Sequence, residues 1–122
     1  MYVRKFGYSE VNLNSGCPSS KVQKGCFGAI LMKSENRDLL AEIVDAMWKG
    51  WKSEDLKGVD NKPKFCDFDE GVTLKCRIGV DDEEGYDFIK QYIQDTGDKK
   101  SKDSPYLSRK GVNHFIVHAR KA

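Results

Sequence analysis

The sequence has no long apolar run, and this absence limits where the protein can work. Of its 122 residues 39% are hydrophobic, but no stretch approaches the roughly 20 apolar residues that cross a bilayer. Residues 1–9 lack the apolar core that a secretory signal needs. We therefore expect a soluble protein that is not secreted and works in the cytoplasm, with an organelle as the other open location.

The sequence also has little excess charge of either sign. Lysine and arginine total 21 and aspartate and glutamate total 19, which gives a net charge of +2. Proteins that bind nucleic acid mainly through bulk charge are usually far more basic. Composition alone therefore does not identify a nucleic-acid partner.

Histidine is scarce, and the cysteines are not arranged in close pairs. There are two histidines and four cysteines, with no C-x-x-C spacing. A structural zinc site usually needs such pairs, so we expect no metal. Disulfides need an oxidising compartment that nothing else in the sequence indicates, which favours free thiols. The cysteines are Cys17, Cys26, Cys66 and Cys76.

A cysteine-centred turn follows the first predicted strand. Residues 10–14 alternate apolar and polar, the period of a β-strand, and residues 15–20 are turn formers around Cys17. A strand that ends in asparagines and leads to a glycine-flanked cysteine indicates a functional site. Residues 21–32 are punctuated by glycines and predict a loop, either purely structural or packed against a planar ligand.

Two amphipathic helices and two further strands complete the pattern. We predict a helix over 36–48, a strand over 72–78, a helix that begins at the acids 81–84 and stops at 96–97, and a strand over 112–120. The apolar stripes that should face the core are Leu39, Leu40, Ile43, Val44 and Met47 in the first helix, and Phe88, Ile89, Tyr92 and Ile93 in the second.

Two long polar stretches interrupt these elements. Residues 50–71 and 98–110 are dense in charged and turn-forming residues, with a turn expected at 61–63. Lysines in the first stretch could touch RNA phosphates, but they are interleaved with acids, which favours a solvated surface insertion.

The ends of the three predicted strands share a polar character. Strands that alternate with helices favour parallel βαβ units and an α/β fold. In a β/α barrel, the carboxyl ends of the strands form the rim where the active site is built. The polar residues at these ends are Asn12 and Asn14, Lys75 and Arg77, and His118 and Arg120.

Three stretches of the chain resemble the signature runs of the tRNA-dihydrouridine synthases. The first is NLNSGCPS at 12–19, continued by VQ at 22–23 and FGAILM at 27–32. The second is VTLKCRIG at 72–79, followed by Asp81, Asp82 and Tyr86. The third, FIVHARKA at 115–122, is similar to the DusA-like branch of the family.

The resemblance implies a fold, a reaction and a set of site residues. The fold is a TIM (β/α) barrel, and the reaction reduces uridine to 5,6-dihydrouridine in the D loop of tRNA, with FMN and NADPH as cofactors. Hydride would reach C6 of the uracil, and Cys17 would give the proton to C5. Lys75 and His118 would contact the flavin, Asn14 would bind the uracil, and Arg77 would be a further substrate contact.

A complete β/α barrel needs about 250 residues, so this chain can supply only part of one. We expect residues 1–122 to be three consecutive strands from an FMN-binding barrel, incomplete at both ends, and inactive when isolated. Two other interpretations of the sequence remain open at this point. One is a barrel flavoenzyme that acts on a free pyrimidine, and the other is a catalytically inactive fragment.

Overall fold

A parallel three-stranded sheet forms the centre of the structure. The computed structural model describes residues 6, 8–53, 71–97 and 111–122. Strand β2 (Gly71–Arg77) lies between β1 (Glu10–Asn14) and β5 (Phe115–His118), and both pairings are parallel. The predicted parallel βαβ order is therefore confirmed, and it is the arrangement of consecutive strands in a β/α barrel.

Helices connect the strands and cover one face of the sheet. Helix α2 (Arg37–Ser53) lies between β1 and β2, and helix α3 (Tyr86–Thr96) between β2 and β5. Within the described ranges, no helix is both long enough and apolar enough to cross a membrane. The face that packs against the helices carries Val72, Leu74 and Cys76 of β2, all fully buried.

Helix α2 is longer than the sequence predicts. It continues past Trp48 to Ser53 and takes in the first residues of the stretch predicted as a surface insertion. Two tryptophans extend the buried stripe, with Trp48 5% and Trp51 8% exposed. Leu39 of α2 is 43% exposed and Ile93 of α3 is 37% exposed, so the placement of both residues in the core was wrong. The stripe is centred on Leu40 and Val44, and Leu39 lies about 100° away from Leu40 around the helix.

Two predicted local structures were wrong. The segment 21–32, predicted as a loop, overlaps the short helix α1 (Ser20–Lys24) and contains a 3₁₀ turn at Gly28–Met32. The acids 81–84 do not begin a helix. They lie in an antiparallel hairpin of β3 (Gly79–Val80) and β4 (Glu83–Glu84). Asp81, at the turn, has φ +52°, a left-handed conformation that aspartate tolerates better than most residues.

The last strand is shorter than predicted, and the polar stretches are only partly described. Strand β5 covers four residues, while Val112 forms a separate parallel bridge with Gly97. Ile78 is 39% exposed because β2, predicted to extend to residue 78, ends at Arg77. The predicted turn at 61–63, Cys66 and the stretch 98–110 lie outside the described residues.

Gly71 allows the start of β2 to contact helix α2. Its φ is +54°, and a Cβ there would lie 2.5 Å from two ring atoms of Trp48. That indole also donates a hydrogen bond to the Gly111 carbonyl at 3.1 Å, so moving the ring would break this hydrogen bond. Gly71 is therefore required by both its backbone conformation and its neighbour.

We expect Gly71→Ala to lower the free energy of unfolding of the complete protein by at least about 2 kcal/mol, because it combines backbone strain with a collision. Gly50→Ala is the matched control. Gly50 lies in α2 with open space around it, and alanine there should raise the free energy of unfolding by up to about 1 kcal/mol. Urea unfolding of both variants measures this. Equal effects would contradict the packing described for Trp48.

Candidate active site

The register of the sheet brings the polar strand ends together. Asn14 lies beside Lys75, and Arg77 lies beside His118. Because neighbouring parallel strands keep their side chains in phase, these residues share the face turned away from the helices. They open into a cleft of about 230 Å³ lined by Asn14, Gly16, Cys17, Pro18, Lys75, Cys76, Arg77 and His118.

All five residues that the sequence singles out as site residues line this cleft. The other two strand-end residues do not. Asn12 donates from Nδ2 to the Thr73 hydroxyl at 2.8 Å and joins β1 to β2. Arg120 is exposed, and its backbone carbonyl accepts a hydrogen bond from the Ile78 amide at 3.4 Å.

The turn that carries Cys17 is held on both sides. The Gly16 amide donates to Asn14 Oδ1 at 3.0 Å, and the Cys17 carbonyl accepts from the Ala29 amide at 2.9 Å. Gly28 makes the second contact possible, since its φ is +66° and a Cβ would lie 2.6 Å from the Cys17 carbonyl oxygen. The Cys17 side chain is half-buried and its thiol is free.

Arg77 connects the three strand ends, a role that the sequence does not reveal. Its Nε donates to the Gly16 carbonyl at 2.7 Å, and one Nη donates to the Lys121 carbonyl at 3.2 Å. Its guanidinium thus joins the turn after β1 to the segment after β5. The close approach is possible because Gly16 has no side chain, and a Cβ there would lie 3.2 Å from Arg77 Cγ.

Ion pairs and hydrogen bonds join the β3–β4 hairpin to the neighbouring segments. Asp81 pairs with Lys33 at 2.6 Å, and Glu84 pairs with Lys121 at 3.2 Å. Glu83 accepts a hydrogen bond from the Ser34 amide at 2.9 Å. The acids that the sequence assigned to a helix N-terminus therefore fix the hairpin in place.

The groups around the cleft suit the polar edge of a flavin ring. Lys75 and His118 present an amine and an imidazole, which can contact the carbonyl and nitrogen edge of a planar heterocycle. In the part of the chain that the structure describes, no three histidine, cysteine, aspartate or glutamate side chains are placed to hold a metal ion.

The parallel strands, the covering helices and a cleft at the strand carboxyl ends place this chain among the β/α-barrel proteins, whose sites lie at that end. The family model "Dihydrouridine synthase (Dus)" matches residues 1–122. The chain belongs to the dihydrouridine synthase family.

Several relatives carry the name tRNA-dihydrouridine(20/20a) synthase. The Shewanella oneidensis protein is 43% identical over 116 residues, which are 95% of this chain and 26% of that protein. The Vibrio cholerae protein is 40% identical over 95% of this chain and 27% of its own length. The Escherichia coli K12 protein is 39% identical over 95% of this chain and 25% of its own length. The chain thus spans about a quarter of the length of these relatives.

The two cysteines at the cleft differ in their surroundings. Cys76 is fully buried on the helix side of β2, and burial raises the pKa of its thiol from 9.0 to about 11. A neutral, inaccessible thiol is a poor nucleophile. Cys17 and Cys26 are both more accessible than Cys76.

We expect iodoacetamide to label Cys17 and Cys26 in the folded protein, but Cys76 only after unfolding, because alkylation needs an accessible thiolate. Peptide mass spectrometry at pH 8, with and without urea, measures this. The pKa of the Cys76 thiol is higher in the folded than in the unfolded protein. Its contribution to the free energy of unfolding is therefore complete below pH 9.0 and is lost as the pH rises through about 11. Labelling of Cys76 in the folded protein at the Cys26 rate would contradict this assignment.

Proposed function

We propose that residues 1–122 form part of the FMN-binding barrel of an NADPH-dependent tRNA-dihydrouridine synthase. The observation that carries the proposal is the convergence of Asn14, Cys17, Lys75, Arg77 and His118 on one cleft at the strand ends. The names of the relatives make uridines 20 and 20a the positions to assay.

The substrate base must leave the RNA stack to enter this cleft. A stacked uridine exposes neither of its faces, so reduction requires a flipped nucleotide. Asn14 suits recognition of the flipped base, because its Oδ1 already accepts a hydrogen bond from Gly16. Its Nδ2 group is therefore the donor that can reach a carbonyl oxygen of the uracil.

Cys17 has the position and the chemistry of the general acid. A thiol is mostly protonated at neutral pH and can transfer its proton to a carbon that gains electron density. The half-buried Cys17 lines the cleft, on a turn that hydrogen bonds hold on both sides. We assign to it the proton that is added at C5 of the uracil.

Lys75 and His118 are assigned to the flavin. The chemistry that bound FMN supplies, once NADPH has reduced it, is a hydride for C6 of the uracil. The exposed Lys75 amine can lie beside the ring and favour negative charge on it, and His118 can contact its polar edge. Arg77 uses Nε and one Nη in protein contacts, so its other Nη is the group assigned to substrate.

The test separates the two half-reactions in the complete, flavin-loaded protein. Cys17→Ala should leave reduction of the flavin by NADPH within about twofold of the parent rate. Reoxidation by tRNA should slow by at least about 100-fold, the usual contribution of a general acid. Cys26→Ala is the matched control and should change neither rate. A Cys17→Ala protein with parent turnover would remove this thiol from the mechanism.

Lys75→Ala should produce the opposite pattern. Loss of the cation beside the flavin should weaken flavin retention or slow reduction by NADPH. Visible absorbance after gel filtration and stopped-flow reduction measure the two effects. A fully yellow variant that is reduced at the parent rate would contradict the role of Lys75. Reoxidation of the parent protein by free uracil as fast as by tRNA would instead favour a flavoenzyme of free pyrimidines.

A further inference from the structure

A buried hydrogen bond joins the outer helical layer to the turn that carries Cys17. The Tyr92 hydroxyl, on α3, lies 2.6 Å from the Ser15 hydroxyl, and both residues are fully buried. Ser15 is two positions before Cys17. Neither residue belongs to the group of site residues that the sequence indicates.

The direction of this hydrogen bond follows from the other contacts of Ser15. The Ser15 hydroxyl donates to the Lys75 carbonyl at 3.0 Å, which uses its only proton. The Tyr92 hydroxyl must therefore be the donor to Ser15. Burial raises the pKa of Tyr92 well above its ordinary value, so the hydroxyl keeps the proton that it donates.

The ring of Tyr92 is held by contacts that do not involve its hydroxyl. The Arg37 guanidinium lies 5.1 Å from the ring centroid, and the Phe115 ring packs edge-on at 6.3 Å between centroids. Arg37 in turn donates to the Met32 carbonyl at 2.8 Å and pairs with Asp95 at 3.3 Å. Replacing tyrosine by phenylalanine would keep these contacts and remove only the hydroxyl.

Ser15 connects the turn to the strand that carries Lys75. Its backbone amide donates to the Lys75 carbonyl at 2.8 Å, so that single carbonyl accepts two hydrogen bonds from Ser15. The next two residues lead directly to the Cys17 thiol. The position of Cys17 relative to Lys75 therefore depends on Ser15, and Tyr92 holds the Ser15 side chain.

We propose that Tyr92 and Ser15 are a pair of positioning residues. They fix the position of Cys17 relative to Lys75 for proton transfer to the substrate. The inference rests on the proposed function. It assigns neither residue to contact with substrate or flavin. Its consequence is that loss of the Tyr92 hydroxyl should impair the step that uses Cys17 and spare the step that does not.

The first test compares half-reactions of Tyr92→Phe in the complete, flavin-loaded protein. Reoxidation by tRNA should slow about tenfold, since small misplacements of a reacting group are costly, while reduction by NADPH stays within about twofold. The KM for tRNA should stay unchanged. Tyr8→Phe is the control, because Tyr8 is 64% exposed, precedes β1 and does not line the cleft. Equal slowing of both half-reactions, or parent rates in both, would overturn the proposal.

The second test does not depend on the reaction. In the flavin-free complete protein, iodoacetamide should alkylate Cys17 about threefold faster in Tyr92→Phe than in the parent, because the turn opens more often. Cys26 in the same molecule is the internal reference and should not change. An unchanged Cys17 rate would contradict a positioning role, whereas a parent protein that never reduces tRNA would contradict the proposed function alone.

A double-mutant cycle tests whether the two hydroxyls act as one unit. Ser15→Ala breaks the same hydrogen bond with the tyrosine in place, and it provides a second route should Tyr92→Phe fold poorly. The double variant should reoxidise no more slowly than Ser15→Ala alone, because interacting residues are not additive. If reoxidation in the double variant slows by the product of the two single-variant factors, the two residues act independently and the pairing is overturned.

Discussion

The parallel register of β1, β2 and β5 is the constraint on which the site depends. It sets Asn14 beside Lys75 and Arg77 beside His118 on a single face. A shift of one residue in either pairing would turn one partner towards the helices, because side chains alternate along a strand. Packing prevents that shift, since Leu74 and Cys76 of β2 are fully buried on the opposite face.

Local patterns in the sequence predicted the three strands of the parallel sheet and most of the helical core. Together with the family resemblance, they indicated five of the residues that line the cleft. They failed where tertiary contacts determine the local structure. The apolar stripe of α2 continues through Trp51, but the polar composition around it resembles a loop. The acids after β2 suit a helix N-terminus, yet the partners Lys33 and Lys121 hold them in a hairpin. Ser15 and Tyr92 are 77 positions apart, and no local pattern links them.

The helical layer is physically connected to the cleft at the strand ends. Arg37 and Asp95 join α2 to α3 beside the Tyr92 ring, and the Tyr92 hydroxyl reaches the turn after β1. Arg77 fixes the next residue of the same turn. The turn is thus held from the helix side by a neutral hydrogen bond and from the cleft side by a cation, which keeps the Cys17 thiol in one place.

Protection of Cys17 by its ligands tests the central claim most directly. The complete protein is treated with iodoacetamide alone, with FMN, and with FMN plus a tRNA that lacks dihydrouridine, and each cysteine is quantified by mass spectrometry. If the cleft holds flavin and base, Cys17 should react at least about tenfold more slowly with both ligands at ten times their Kd, while Cys26 stays unchanged. Alkylation of Cys17 at one rate under all three conditions would contradict the claim that this cleft is where uridine is reduced.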